Sequence, residues 1–301
     1  MDIQITKKNG DFFTFEEYGI IVKDFIVSSI PLNSVYGEIE GRHGTVDYGA
    51  IYGTRTITVP FVLRAHDLMD YPLLRDVLFD LVLDTESFYI REMRRAKKLS
   101  YAFVDTNEPA RMDETSNNQF VGGKRYLVRL QNTFDLEQIE KDGEGELVFE
   151  TTELPFAESI STTKDIQENG ISNDYSLWGE GMGILSNKES FKYRHNTRNF
   201  RIYNAGNIPI HPFQQDLRIT ITNLDATGFT LKNLTNGSEF KINEEVTSNQ
   251  TIVIDGANVT SNGLAFLRAT NKQFIELETG WNEFETTADA TIEFDFRYYY
   301  K

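Results

Sequence analysis

"GRHGTVDYGAIYGTRTITVPFVLRA", residues 41–65, sets Gly41, Gly44, Gly49 and Gly53 in its first half and a strict alternation in its second. Ile57, Val59, Phe61 and Leu63 fall on one side of the chain, Thr56, Thr58 and Arg64 on the other. Period two over such a run predicts a strand with one buried face. Pro60 has no N–H to give a ladder, which predicts an edge strand or an outward-facing gap. A phosphate cradle needs a glycine-rich loop that opens a helix, whose free N–H groups meet the anion. Here the glycines lead into a strand and no G-K-[ST] follows, so they read as turns and bulges.

Beyond Ala65 the period changes. In "DYPLLRDVLFDLV" the apolar residues Leu73, Leu74, Val77, Leu78, Leu81 and Val82 recur at helical spacing. Asp70 before Pro72 marks a start, because proline in the first turn loses no hydrogen bond. The spacing predicts one helix over 68–83, lying on the first sheet. Before it, "FIVSSI" (Phe25–Ile30) reads as a short strand ended by Pro31. After it come "SFYI", "SYAFV" and "RYLVRL", a polar loop or arm at "NEPARMDETSNNQ", and an acidic stretch from Asp135 to Glu158 broken by Gly143, Gly145 and Pro155. A domain boundary is placed near 158.

From 160 onward the pattern reads as β throughout. "FRIYNA", "LRITITNL", "GFTLKNL", "TIVID", "QFIELE" and "ATIEFDFRYYY" are separated by turn signals at roughly the 8–12-residue spacing of a sandwich. In the last of them Ile292, Phe294, Phe296, Tyr298 and Tyr300 share one face. Glu293, Asp295 and Arg297 share the other.

Composition narrows the function. The 301 residues carry a formal net charge of −16, which repels nucleic-acid phosphates and anionic membranes. It does not exclude DNA in transit through an assembly. No cysteine is present, so disulfides, thiolate zinc sites and Cys nucleophiles are excluded. The start "MDIQITKKNG" lacks an apolar signal region, and no long apolar run predicts a membrane span. The sequons at Asn233, Asn236, Asn249 and Asn258 are then without consequence.

No catalytic set emerges. His43, His66, His195 and His211 lie far apart, with no metal-ligand spacing, and neither a G-x-S-x-G elbow nor H-E-x-x-H occurs. Glu38 and Glu40 would share one face of a strand, as a glycosidase pair does, but a solvated pair suits so acidic a chain better. No cofactor or metal is called for. Trp178 in "SLWGEGMG" and Trp281 in "ETGWNEF" are the two tryptophans, each set among glycines, and either could stack on a sugar. Filling the core is the competing role for both. The cluster Arg91, Arg94, Arg95, Lys97 and Lys98 could meet the acidic 135–158 segment, within a subunit or between copies.

The order of these motifs resembles a family. The G-R-x-G turn at Gly41, the D-Y-G at Asp47, the Y-G-x-R at Tyr52 and the I-x-V-P-F strand, followed by one helix, look like the N-terminal region of the distal tail proteins (Dit) of long-flexible-tailed bacteriophages. "FRIYNAGNIPIHP", "LRITITN", "LETGWNEFE" and "IEFDFRYYY" look like that family's C-terminal galectin-like, carbohydrate-binding-module-like β-sandwich. The resemblance implies a mainly β chain. Residues 1–158 would form a ring-forming α+β domain, one helix on a small sheet or barrel, and 159–301 the sandwich. It implies a non-enzymatic hub: a homohexameric ring at the tail tip, made in the host cytoplasm and carried in the virion. The ring would join the tail-tube protein to tail-associated lysin, baseplate or tail-fibre proteins, with DNA leaving through its centre. Ring contacts are expected from the 41–64 region and the basic cluster, with Arg42, Tyr48, Tyr52, Arg55, Arg94 and Arg95 as candidates. Pairing of the Pro60 strand's edge across subunits is expected too. The alternative is a cell-wall carbohydrate-binding adsorption protein that uses Trp178 or Trp281.

Overall fold

The computed structural model describes residues 1–95, 120–171, 177–179, 181–185 and 187–301. "SYAFV", the polar stretch at 107–119, Lys97 and Lys98 lie outside the described residues. The first half holds β1 (Asp2–Thr6), β2 (Phe12–Thr14), β3 (Ile20–Val22), β4 (Ile26–Val27), β5 (Leu32–Gly37), β6 (Val46–Tyr52), β7 (Thr56–Arg64), α1 (Tyr71–Val82), β8 (Phe88–Arg95), β9 (Phe120–Val121), β10 (Lys124–Leu130), β11 (Glu137–Ile139), β12 (Asp142–Thr151) and β13 (Ala157–Ser159). The second holds α2 (Thr163–Asn169), β14 (Arg194–His195), β15 (Asn199–Asn204), β16 (Leu217–Thr222), β17 (Phe229–Asn233), β18 (Glu239–Ile242), β19 (Ile252–Asp255), β20 (Asn258–Ser261), β21 (Leu264–Ala265), β22 (Gly280–Thr286), β23 (Thr291–Phe296) and β24 (Tyr299–Tyr300). The chain is mainly β, as the sequence predicts.

The alternation in β7 is realised: Ile57, Val59, Phe61 and Leu63 are buried side by side in the first core, with Ile3, Ile5, Phe88, Ile90, Leu147 and Phe149. The edge expectation fails. The main sheet runs β2-β1-β8-β10-β12-β7-β3, so β7 is internal, with β12 on one side and β3 and β4 on the other. Pro60 is tolerated because β3 ends at Val22 and β4 begins at Ile26, leaving a gap opposite it. The Pro60 carbonyl accepts from Lys23 N–H at 2.9 Å across that gap. In an antiparallel ladder a residue's N–H and C=O face the same side, so the missing donor falls at this interruption of the ladder and not within a continuous pairing. The Pro60 strand therefore has no free edge for a neighbouring subunit.

The acidic stretch conceals the longest of the described strands. β12 pairs with β7 from Asp142 opposite Arg64 to Glu150 opposite Thr56. Its glycines are close approaches instead of breaks. A Cβ on Gly143 would fall 2.6 Å from the Tyr71 hydroxyl, and one on Gly145 2.9 Å from the Phe61 ring. Helix α1 starts later than the 68–83 expectation, because the Asp67 carboxylate accepts from Met69 and Asp70 N–H and holds 67–70 in a turn. It buries Tyr71, Leu78 and Val82.

In the second half the sheets β14-β23-β16-β19-β20-β21 and β15-β22-β17-β18 face each other over one core, a sandwich. The region is not β throughout. α2 packs on β23, with Ile166 buried and the Thr163 hydroxyl bridging the Phe294 carbonyl and the Phe296 N–H. "QFIELE" forms no strand; it buries Ile275 and Leu277 and makes one bridge, Ile210 to Leu277. Asn233 is buried and hydrogen-bonded to Asn282 and to the Glu276 carbonyl, which makes it a core residue.

The two halves are stitched by backbone. β13 pairs with β10 on one side and with the C-terminal β24 on the other. Beside this ladder Arg125 bonds Glu158 at 2.7 Å, Arg297 lies 3.8 Å from the same carboxylate, and Arg297 also reaches Asp216 at 3.5 Å. The Arg125 guanidinium stacks 3.7 Å over Tyr89, and Arg297 donates to the Ser159 and Ile160 carbonyls.

Candidate functional site

β5 and β6 form a two-stranded sheet of their own, paired from Leu32–Tyr52 to Gly37–Val46 with an irregularity between Ser34 and Tyr36. The glycines serve this hairpin. Gly41 and Gly44 take positive φ at its tip and Gly49 takes φ +95° inside β6, values that only glycine adopts without strain. Gly37 makes room for Tyr48, whose ring would sit 2.3 Å from a Cβ there. The expected turns are thus a tip and an irregular ribbon. Glu38 and Glu40 lie in the tip, outside any strand, so the paired-carboxylate geometry does not arise.

Nearly every residue of the ribbon is in solvent. Leu32, Val35, Tyr36, Tyr48 (65% exposed), Ile51 (65%) and Tyr52 on the two strands and Ile39 in the tip present large apolar side chains. Together they offer on the order of 700 Å² at about 200 Å² per large side chain. That is close to the ~800 Å² that each partner contributes to a stable interface. A two-stranded ribbon is marginal in water on its own. The base is anchored: Gly53 N–H bonds the Pro31 carbonyl at 2.8 Å, and Tyr52 packs edge-on against Phe156 at 5.4 Å.

Of the candidate contact residues, Arg42, Tyr48 and Tyr52 lie on this hairpin. Arg55 does not reach the surface: it is 5% exposed, its backbone N–H bonds the Thr151 hydroxyl, and its guanidinium lies 5.8 Å from the Tyr126 ring. Arg94 bonds Glu92 and lies 3.6 Å from Asp24, so its described partners are not in the 135–158 segment. Arg95 occupies the end of β8, paired in register with Phe120. The hairpin's unity was missed in the sequence, although the paired apolar residues on either side of Gly41 and Gly44 were there to find it.

The two tryptophans stand in different settings. Trp178 is 3% exposed and gives its indole N–H to Asp165 at 3.3 Å. Trp281 is half-buried, with Arg201 stacked 4.1 Å over its ring and Tyr203 beside it at 5.0 Å. Arg201 is itself held by Glu189. Near this pair a groove of about 410 Å³ is lined by Lys192, His195, Thr197, Asn199 and Glu283 among others. Among the described residues no cluster of three or more His, Cys, Asp or Glu could hold a metal, and no helix is long and apolar enough to cross a membrane.

His195 is structural. It stacks on Phe200 at 4.6 Å and its Nε2 meets the Lys192 carbonyl at 2.9 Å. Burial lowers its pKa below the ordinary value of 6.5; the hydrogen bond to the Lys192 carbonyl opposes that shift, the Lys192 charge adds to it and the Glu189 charge opposes it. A lowered folded value stabilises the protein above 6.5, and that contribution is lost as pH falls toward the folded pKa. Melting temperature is therefore expected to drop by a few degrees more in the wild type than in His195→Phe between pH 7.5 and 5.5. Equal drops in the two proteins would show that His195 titrates normally.

Residues 9–151 match the family model of the phage tail protein RIFT-related domain, and residues 206–298 match that of the siphovirus-type tail component, C-terminal domain. No curated protein sequence matches the chain. Among solved structures, the crystal structure of Dit from phage SPP1, described as a paradigm of the hub adsorption apparatus in phages infecting Gram-positive bacteria, is 13% identical. It covers 98% of this chain and 99% of its own, with a TM-score of 0.62, which shows a shared fold. The phage p2 baseplate activated with calcium is 10% identical over 99% of this chain and 97% of that one, at a TM-score of 0.40. The strontium form is 11% identical over 98% and 97%, at 0.39. Matched in both halves and in order by models of siphovirus tail components, and sharing the fold of SPP1 Dit, the chain belongs to the siphophage distal tail protein family.

Proposed function

We propose that this chain is a non-enzymatic hub at the far end of the phage tail, in which six copies close a ring. Residues 1–158 form the ring and the sandwich of 159–301 projects from it. The tail-tube protein sits above, and baseplate, tail-fibre or tail-associated lysin proteins sit below. The supporting observation is the β5–β6 hairpin, an apolar ribbon of interface size that no other described residue covers in one copy beyond its base. A ring supplies the cover: in cyclic symmetry each copy offers one surface to the next and receives another, until the rotation closes. Tyr48, Tyr52 and Arg42 are the hairpin's contact residues, with Arg94 and Arg95 as further candidates. Six copies at −16 each surround the bore with negative charge, so DNA in transit is repelled by the wall and not held. Such a protein works in the virion. Mass photometry of the purified chain at moderate salt is expected to show a species near six times the 34.6 kDa chain mass. A monomer at every accessible concentration would overturn the ring.

A further inference from the structure

Resting on the ring reading, we propose that the β5–β6 hairpin of one copy seats on a second surface of the next copy, built by the 66–69 loop and the open edge of β11. This surface lies at the opposite end of β7 from the hairpin base. The hairpin enters β7 at Thr56; the 66–69 loop leaves it after Arg64. β12 returns antiparallel, so the β11–β12 turn at Glu140 and Lys141 sits at the Arg64 end. The two surfaces are thus separated by the length of β7, about 30 Å at ~3.3 Å per residue. The hairpin base and this surface therefore leave β7 at opposite ends, an arrangement that suits a contact with a neighbour.

The second surface has the properties the hairpin lacks a partner for. A shallow groove of about 660 Å³ is lined by His66, Leu68, Met69, Glu140 and Lys141, and Met69 is 86% exposed. Ile139 and Leu68 are exposed beside it. Among the described residues β11 pairs only with β12, so its outer N–H and C=O groups are open to a further strand. β5 and β6 likewise pair only with each other, so both of their outer edges are open. Between them those two strands carry one charged residue, Asp47, so their apolar side chains can lie on Leu68 and Met69 of the groove, whose rim also holds His66, Asp67, Glu140 and Lys141. Strand addition would satisfy the backbone on both sides while Tyr36, Tyr48 or Ile51 covers Leu68, Met69 and Ile139. Two different surfaces on opposite ends of one unit give head-to-tail contact, the geometry that closes a ring.

The absence of native cysteine makes a clean test. Ile51→Cys and Met69→Cys are combined in the full chain and the protein is oxidised, with a short bismaleimide as a parallel cross-linker. A disulfide needs Cα atoms within about 7 Å, and a bond formed within one copy would leave a monomer band and no ladder. The double variant is expected to give a ladder of covalent oligomers on a non-reducing gel, while neither single variant goes beyond a dimer. Met69→Asp, at a position that contributes nothing to the core, is expected to weaken self-association about tenfold or more without changing the monomer's melting temperature. An intact multimer by mass photometry with no ladder overturns this pairing and leaves the ring standing. A wild type that stays monomeric overturns both.

Discussion

Excision of residues 33–51, with Leu32 and Tyr52 joined by a two-residue turn, is expected to abolish self-association and leave a folded monomer. The chain permits this cut because its ends already meet. Leu32 and Tyr52 are paired across the hairpin base, and Gly53 N–H bonds the Pro31 carbonyl at 2.8 Å. Facing strand residues lie about 5 Å apart, a gap that a tight turn spans. The removed residues contribute little to either core; none of them appears among the buried side chains. Tyr52 is kept because it packs against Phe156 and lies under Lys301. A melting temperature within about 3 °C of wild type corresponds to roughly 1 kcal/mol, the scale of losing a surface element. Mass photometry and thermal melting together read the result. A truncated protein that still assembles would show that self-association runs through another surface. One that unfolds would show that the ribbon stabilises the domain it projects from.

That hairpin marks the limit of what the sequence discloses. Period two is visible in β7 because one face is buried and the other is not, and it is visible in β23 for the same reason. Helix α1 is visible because its apolar residues fall on one stripe. In β5 and β6 both faces are exposed, so no alternation is imposed and glycine dominates the reading. β12 was hidden by its charge: Glu144, Glu146 and Glu150 occupy the outward positions of a strand whose inward ones are Leu147 and Phe149. Its glycines looked like breaks because the reason for them, the Tyr71 and Phe61 rings, comes from distant residues. α2 has seven residues and buries two side chains, too few for a period to show. Pro60 suggested an edge because a gap between two short strands on the partner side cannot be read from one strand alone. The site was legible only as a region: Arg42, Tyr48 and Tyr52 fall on the hairpin, while Arg55, four residues from Ile51, is inside.

Glu158→Ala is expected to destabilise the protein by about 2–3 kcal/mol, the cost of stripping an acceptor from charged hydrogen-bond donors, whereas Glu158→Gln at neutral pH is expected to be close to neutral because it keeps an acceptor. A single carboxylate oxygen carries the contacts: Oε1 accepts from Arg125 Nε at 2.8 Å, lies 2.7 Å from Arg125 Nη2 and 3.8 Å from Arg297 Nε. Alanine removes that oxygen and leaves two guanidinium groups, each under one-fifth exposed, facing each other beside the β10–β13–β24 ladder. Glutamine keeps an amide oxygen in its place and removes the charge. Burial is the largest influence on Glu158 and raises its pKa above 4.5, against the pull of Arg125 and Arg297. A raised folded pKa means that the stability tied to protonation is fully present below 4.5 and lost as pH rises through the folded value. The wild type should therefore match Glu158→Gln at low pH and gain nothing on it at neutral pH, while Glu158→Ala stays below both. Denaturant melts across pH 4–8 measure the three curves. Because this cluster and its ladder join the two halves, limited proteolysis within 152–162 should quicken in the alanine variant alone. If Gln were as damaging as Ala at neutral pH, the ionic charge and not the hydrogen-bonded oxygen would be what fixes the sandwich to the sheet beside it.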